Sequence, residues 1–175
     1  MLTHLRISGG ALTKLAFLMG AGTVGGAAWF VLVREPHPGA ILAGAGGALL
    51  LIGGHRANHG AGTPFDRMLD ALLDRVWDGA ILASIAWAAR GVDERIAAVA
   101  LIALGTSFLS SYVRARGAAL GYTVEESHVT RGIRYALVVA GLAFGWLDWT
   151  LWAAATTSFL AVAVRTSQVA KEERA

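Results

Sequence analysis

Apolar runs broken by short polar segments recur six times along the chain. A window of about 19 residues places membrane helices at roughly 15–33, 39–54, 76–90, 96–113, 133–146 and 149–165. Three of these runs are short for a full crossing and reach it only if the helix continues past the membrane surface. Pro36 and Pro38 separate the first two runs; Gly60, Gly62 and Pro64 separate the second from the third. Each combination stops one helix and lets the next begin. No linker or soluble segment interrupts the series, so the expectation is a single membrane domain over 1–175.

Composition agrees. With 55% hydrophobic residues, 15% charged residues and a mean hydropathy of +0.56, the chain is too apolar for a soluble domain of 175 residues. The fold class is all-α integral membrane. The lack of cysteine excludes disulfides, thiolate metal sites and a cysteine nucleophile. A net charge of +3 does not point to nucleic acid, because the arginines are spread through short segments between apolar runs. Their distribution reads as membrane orientation: twelve basic residues fall on the side of the two termini and three, Arg34, Arg90 and Arg95, on the other. This predicts a multi-pass protein of the cell membrane with cytoplasmic N- and C-termini.

One polar feature stands out against this background. Asp66, Asp70, Asp74 and Asp78 recur every fourth residue just before and into the third span. Like charges at that spacing repel, and a carboxylate drawn toward hydrocarbon costs more still, so something must offset them. Divalent cations and arginines are the two candidates. Arg67 and Arg75, each three residues before an aspartate, would pair within the helix and make the stripe purely structural. His55, Asn58 and His59 form a smaller polar group; the two histidines have the spacing of helical metal ligands but no accompanying glutamate, which favours interfacial histidines over a metal site. The many glycines, among them Gly20, Gly22, Gly25, Gly26, Gly44, Gly46 and Gly47, suit close packing of membrane helices. Trp77, Trp87, Trp146, Trp149 and Trp152 lie mostly toward span ends, as interfacial aromatics do.

The run from Gly60 to Gly79 resembles the second half of the CDP-alcohol phosphatidyltransferase signature, D-x2-D-G-x2-A-R-x8-G-x3-D-x3-D. A second segment, Ser110 to Gly121 followed by Arg131 and Arg134, is similar to the acceptor-side region of the bacterial phosphatidylinositol-phosphate and phosphatidylglycerophosphate synthases. The resemblance covers about residues 40–165. It implies a six-helix fold, a role in phospholipid biosynthesis, and transfer of a phosphatidyl group from CDP-diacylglycerol to a phosphorylated polyol. It further implies Mg²⁺ or Mn²⁺ on Asp70 and Asp74, with Asp66 as a possible third carboxylate and Asp74 as the catalytic base. Gly53 and Arg56 would belong to the donor side, and Ser111, Arg114, Arg116, Arg131 and Arg134 to the acceptor-phosphate pocket. Membrane lipids and a dimer partner, either a second copy or an active relative, complete the implied associations.

The chain departs from the signature where it matters chemically. The two leading aspartates would fall at 49 and 52, which are Leu49 and Ile52, and the Ala-Arg pair reads Arg56-Ala57. Two carboxylates hold a hard cation weakly, and a two-ion clamp on a pyrophosphate needs more negative charge. Three readings follow: a catalytically impaired relative, a divergent working transferase, or an unrelated small transporter with a cation-binding aspartate stripe.

Overall fold

The computed structural model describes residues 9–59, 63–124 and 128–173. Six helices follow in order: α1 (Gly9–Leu32), α2 (Pro36–His59), α3 (Pro64–Ala89), α4 (Glu94–Ala119), α5 (His128–Phe144) and α6 (Leu147–Glu172). Five of them have 24 to 26 residues. At 1.5 Å per residue these are roughly 36–39 Å long, more than a hydrocarbon core of about 30 Å. Four helices, α1, α2, α4 and α6, are long and apolar enough on their own to cross a membrane. The exceptions, α3 and α5, carry Asp70, Asp74 and Asp78, and Arg131 and Arg134, respectively.

The helices overrun the apolar runs from which they were expected. Arg56, Arg67, Arg75, Arg114, Arg116, Arg131, Arg134 and Arg165 all lie inside helices rather than in connecting loops. Hydropathy registers a charge as a break. The backbone needs only that the charge find a partner or water.

Local chemistry fixes the helix ends. Thr63 caps α3: its hydroxyl accepts from the Asp66 N–H at 3.2 Å, while the Asp66 carboxylate accepts from the Thr63 N–H at 2.9 Å, with Pro64 in the first turn. Asp93 caps α4 by accepting from the N–H groups of Arg95 and Ile96. Helix α1 ends with Arg34 at φ 64, where the Glu35 N–H reaches back to the Phe30 carbonyl at 2.8 Å. This is the left-handed terminus in which glycine is usual.

Adjacency in space runs α2, α5, α6, α4, α3 and back to α2, closing a ring, with α1 packed outside against α2 and α3. Small residues let α1 and α2 approach: a Cβ on Gly46 would come within 2.9 Å of Val24. Not all the glycines serve this purpose, since Gly22 and Gly25 face open space. The core consists of Phe17, Val24, Leu50, Trp77, Ile81, Leu82, Ile85, Val99, Val138 and Leu151, among others. Trp77 is not interfacial. It is fully buried, donates to the Ala43 carbonyl at 3.1 Å and stacks on Tyr135 at 4.0 Å. Trp87, Trp146, Trp149 and Trp152 are exposed.

Candidate functional site

Four residues of helix advance about 6 Å, so Asp70, Asp74 and Asp78 form a ladder about 12 Å long on α3. All three side chains are buried and face the interior of the ring. On α5, Arg131, Arg134 and Tyr135 have the i, i+3, i+4 spacing of one helix face, and they too are buried. Among the described residues no Cα of α3 lies within 8 Å of one on α5. Long side chains fill the gap between the two backbones.

Arg131 donates through Nη1 to Asp70 Oδ1 at 2.7 Å and through Nη2 to Asp70 Oδ2 at 3.2 Å, a two-pronged pair. Its Nε lies 3.5 Å from Asp74 Oδ1. Arg134 donates through Nε to Asp78 Oδ1 at 2.8 Å and through Nη2 to Asp74 Oδ1 at 3.0 Å. The Tyr135 hydroxyl donates to the same Asp74 oxygen at 2.7 Å. Arg75 pairs with Asp74 Oδ2 and lies 3.7 Å from Asp78 Oδ2, which also accepts from the Ser107 hydroxyl. Asn58 on α2 donates to Asp70 Oδ2 at 3.2 Å. Every carboxylate oxygen of the three aspartates thus has a donor. Three arginines balance three carboxylates.

Gly54 makes room for this arrangement on the α2 side, since a Cβ there would overlap the Asp70 carboxylate. Gly53, expected on the donor side, packs instead against Phe17, whose ring a Cβ would meet at 2.7 Å. Arg56 is exposed. Of the two positions where the signature has its leading aspartates, Leu49 is half-buried and Ile52 is 55% exposed, so Ile52 turns away from the polar interior.

Asp66 stands apart from the ladder. Its carboxylate closes the cap on α3, and the Thr63 backbone N–H, then the Thr63 hydroxyl, hold it below the usual carboxylate range against the opposing effect of burial. Arg67 is exposed and makes no ion pair among the described residues, whereas the Arg75–Asp78 spacing does bring those two together. His55 is exposed; the His59 side chain and Gly60 to Gly62 lie outside the described residues. Among the described residues no group of three or more histidine and carboxylate side chains is arranged to hold a metal.

Beside the ladder lies a small cavity of about 30 Å³ between α3, α4, α5 and α6. Arg75, Arg114, Arg131, Arg134 and Arg165 line it together with Ser107, Ser110, Ser111, Thr130 and Ser158, and Asp74 is the single carboxylate in its lining. Arg75 also bonds the Ser107 carbonyl at 3.0 Å and the Ser111 hydroxyl; Arg165 bonds the Ser110 carbonyl at 2.9 Å and its hydroxyl. Among the described residues the buried Ser158 hydroxyl has no hydrogen-bond partner. The expected acceptor-side residues Ser111, Arg114, Arg131 and Arg134 therefore meet here, while Arg116 is exposed and does not line the cavity. Sequence reasoning passed over Tyr135, Ser107, Ser158 and Arg165. The signal for the serines was present: Ser107, Ser110, Ser111 and Arg114 have i, i+3, i+4, i+7 spacing, a polar stripe inside an apolar helix.

No protein-family model matches the chain. Individual proteins do. The phosphatidylinositol phosphate synthase of Mycolicibacterium smegmatis is 38% identical over 139 residues, 70% of this chain but only 63% of that protein. The matched region therefore spans less than two thirds of that relative's length. Two crystal structures of Mycobacterium tuberculosis phosphatidylinositol phosphate synthase are similar at 25% identity. The one with CDP-DAG bound gives a TM-score of 0.75 over 94% of this chain and 88% of that one. The one in complex with manganese and citrate gives 0.74 over 92% and 81%. The Corynebacterium glutamicum phosphatidylinositol phosphate synthase is 32% identical over 177 aligned positions, 94% of this chain and 78% of that protein, and on this breadth of agreement the chain belongs to the CDP-alcohol phosphatidyltransferase family.

Proposed function

We propose that this chain is a membrane protein of phospholipid biosynthesis that keeps the family's basic, phosphate-binding side but does not transfer phosphatidyl groups at a useful rate. The observation that carries this reading is the occupancy of the aspartate ladder. All six oxygens of Asp70, Asp74 and Asp78 accept from arginine, tyrosine, serine or asparagine donors. A hard cation needs several free oxygens in its shell. The residues present do not fit a two-cation cage, with Leu49 and Ile52 at the other two corners and Asp66 engaged in its cap. No catalytic step through a metal, and no role for Asp74 as base, is supported by this arrangement. Guanidinium groups supply the compensating charge instead.

The cavity retains chemistry of its own. Arg114 and Arg165 bring two further guanidinium groups to its lining beside the three that meet the aspartates, and Asp74 is the one carboxylate among those lining residues. Guanidinium and hydroxyl donors converging in a site with little water suit a phosphate group. The Mycobacterium tuberculosis relative is described with CDP-DAG bound, and a phospholipid precursor is the ligand class proposed for this chain. Pairing with a second copy or with an active synthase would place such a ligand where turnover can occur. The basic asymmetry supports cytoplasmic termini in the cell membrane, and a reporter fused after Ala175 should then be cytoplasmic, with one fused near Val92 outside.

The deciding experiment supplies membranes bearing the chain with CDP-diacylglycerol, Mn²⁺ and a panel of phosphorylated polyols. Little or no CMP should be released. Robust metal-dependent release that disappears in Asp74→Asn would overturn the reading and make this a working, divergent transferase.

A further inference from the structure

At the end of the bundle opposite the aspartate ladder lies an open apolar cavity of about 260 Å³. Ile85, Ile96, Leu142 and Leu147 form much of its wall, and its two charged lining residues are Arg34 and Asp93. Aliphatic side chains that line an open groove are stabilised when an apolar guest covers them. In a bundle that spans a membrane, the apolar guest at hand is an acyl chain.

The charges at its edge narrow the choice. This end carries three arginines. The Arg90 guanidinium lies over the Trp87 ring at 3.2 Å, and Arg95 donates to Asp148 at 2.6 Å. Arg34 has no hydrogen bond or ion pair from its side chain among the described residues, and it is exposed. Asp93 spends Oδ1 on two backbone N–H groups of α4, each at 3.1 Å, which leaves Oδ2 for another donor. Arg34, whose guanidinium makes no ion pair among the described residues, and one available carboxylate oxygen of Asp93 thus flank an apolar cavity, with Glu35 and Glu94 exposed nearby in the chain.

We propose that this cavity binds a phospholipid with a zwitterionic, ammonium-bearing headgroup, such as phosphatidylethanolamine. An acyl chain lies along Ile85, Ile96, Leu142 and Leu147, the phosphate meets Arg34, and the ammonium meets Asp93. A lipid of net negative charge satisfies Arg34 but sets its headgroup against Asp93, so the pair selects for the zwitterion. The inference does not depend on the reading of the aspartate ladder, which lies at the other end of the bundle.

The test is native mass spectrometry of the delipidated full chain, given equimolar dioleoyl phosphatidylethanolamine and dioleoyl phosphatidylglycerol. The unmodified protein should retain phosphatidylethanolamine several-fold over phosphatidylglycerol. Arg34→Gly should lower that retention at least tenfold while leaving the lipid-free melting temperature equal or higher, because glycine is at ease at φ 64. Asp93→Asn keeps the helix cap and should erase the preference between the two lipids. Ala89→Phe fills the cavity and should reduce binding of both; should that variant not fold, Arg34→Gly and Asp93→Asn decide. Arg67→Gln, at the far end and outside both cavities, should change nothing. Equal retention of the two lipids by the unmodified protein, undiminished binding by Arg34→Gly, or loss of binding in Arg67→Gln would each overturn the proposal.

Discussion

The two sides of the aspartate ladder differ in what they bring to it. On the α2 side, Leu49 and Ile52 offer no ligand atom and Gly53 is packed against Phe17; among the described residues Asn58 bonds the ladder and Gly54 makes room for it. On the α4, α5 and α6 side, arginines and hydroxyls crowd together, and two arginines reach across to the carboxylates. On the reading proposed above, a site that depends on both sides for cations would lose them with one side gone. The other side can persist, because anion binding needs only the arginines and their supports. What remains is a charge-balanced strut between α3 and α5, bordered by a positively charged cavity.

If the strut is structural, its members should be expensive to remove singly. Arg134→Met leaves Asp74 and Asp78 short of a buried counter-charge, and breaking such a pair from one side costs about 3–5 kcal/mol. Reversible denaturation in mixed micelles should show that loss. Arg131→Met should behave similarly, yet Asp70→Leu combined with Arg131→Met should recover most of it, since replacing both partners of a buried pair is often neutral. A double variant as unstable as the worse single one would mean that the ladder does more than balance charge.

The α2 side should respond through shape. Gly54→Ala drives a methyl group into the Asp70 carboxylate, and overpacking of this kind costs about 1–3 kcal/mol. A neutral Gly54→Ala would show that Asp70 moves freely and that its pairing with Arg131 is loose.

The smallest effect belongs to Asp66, the aspartate outside the ladder. Thr63→Ala should cost about 1 kcal/mol through the lost cap. The Asp66 carboxyl is held below its ordinary value in the folded protein. Its contribution is therefore complete above the ordinary carboxylate pKa and is lost as pH falls through the folded value. Melting curves of the unmodified protein and Asp66→Asn should converge as the pH is lowered through and below the carboxylate range. A difference that stays constant down to the lowest pH would remove Asp66 from the cap.

Much of this was legible in the chain. The apolar runs located all six helices, because each is apolar over most of its length. The spacing of four residues placed Asp70, Asp74 and Asp78 together, and the choice between cations and arginines was visible as a choice. What the sequence could not supply was the partner: Arg131 lies 61 residues from Asp70, and nothing local says that the two helices bearing them share one interior. Arg165 looked like a charge at the membrane surface for the same reason. Its pairing with Ser110 depends on α6 packing beside α4, which periodicity along one helix does not reveal. Trp77 was misplaced because a tryptophan near a span end suits an interface; its indole N–H instead found a carbonyl on α2.

Among the described residues α1, α2, α4 and α6 alone are long and apolar enough to cross a bilayer on their own account, and this bears on how the protein is made. During synthesis α3 emerges with its carboxylates and Arg75 well before α5 supplies the other two arginines that neutralise them. On charge alone α3 would then be poorly retained in lipid until α5 has been translated. Biogenesis is thus coupled over some 60 residues. A ribosome stalled after α4 would hold a chain whose third helix sits at the membrane surface, accessible to quality-control proteases that the finished bundle excludes.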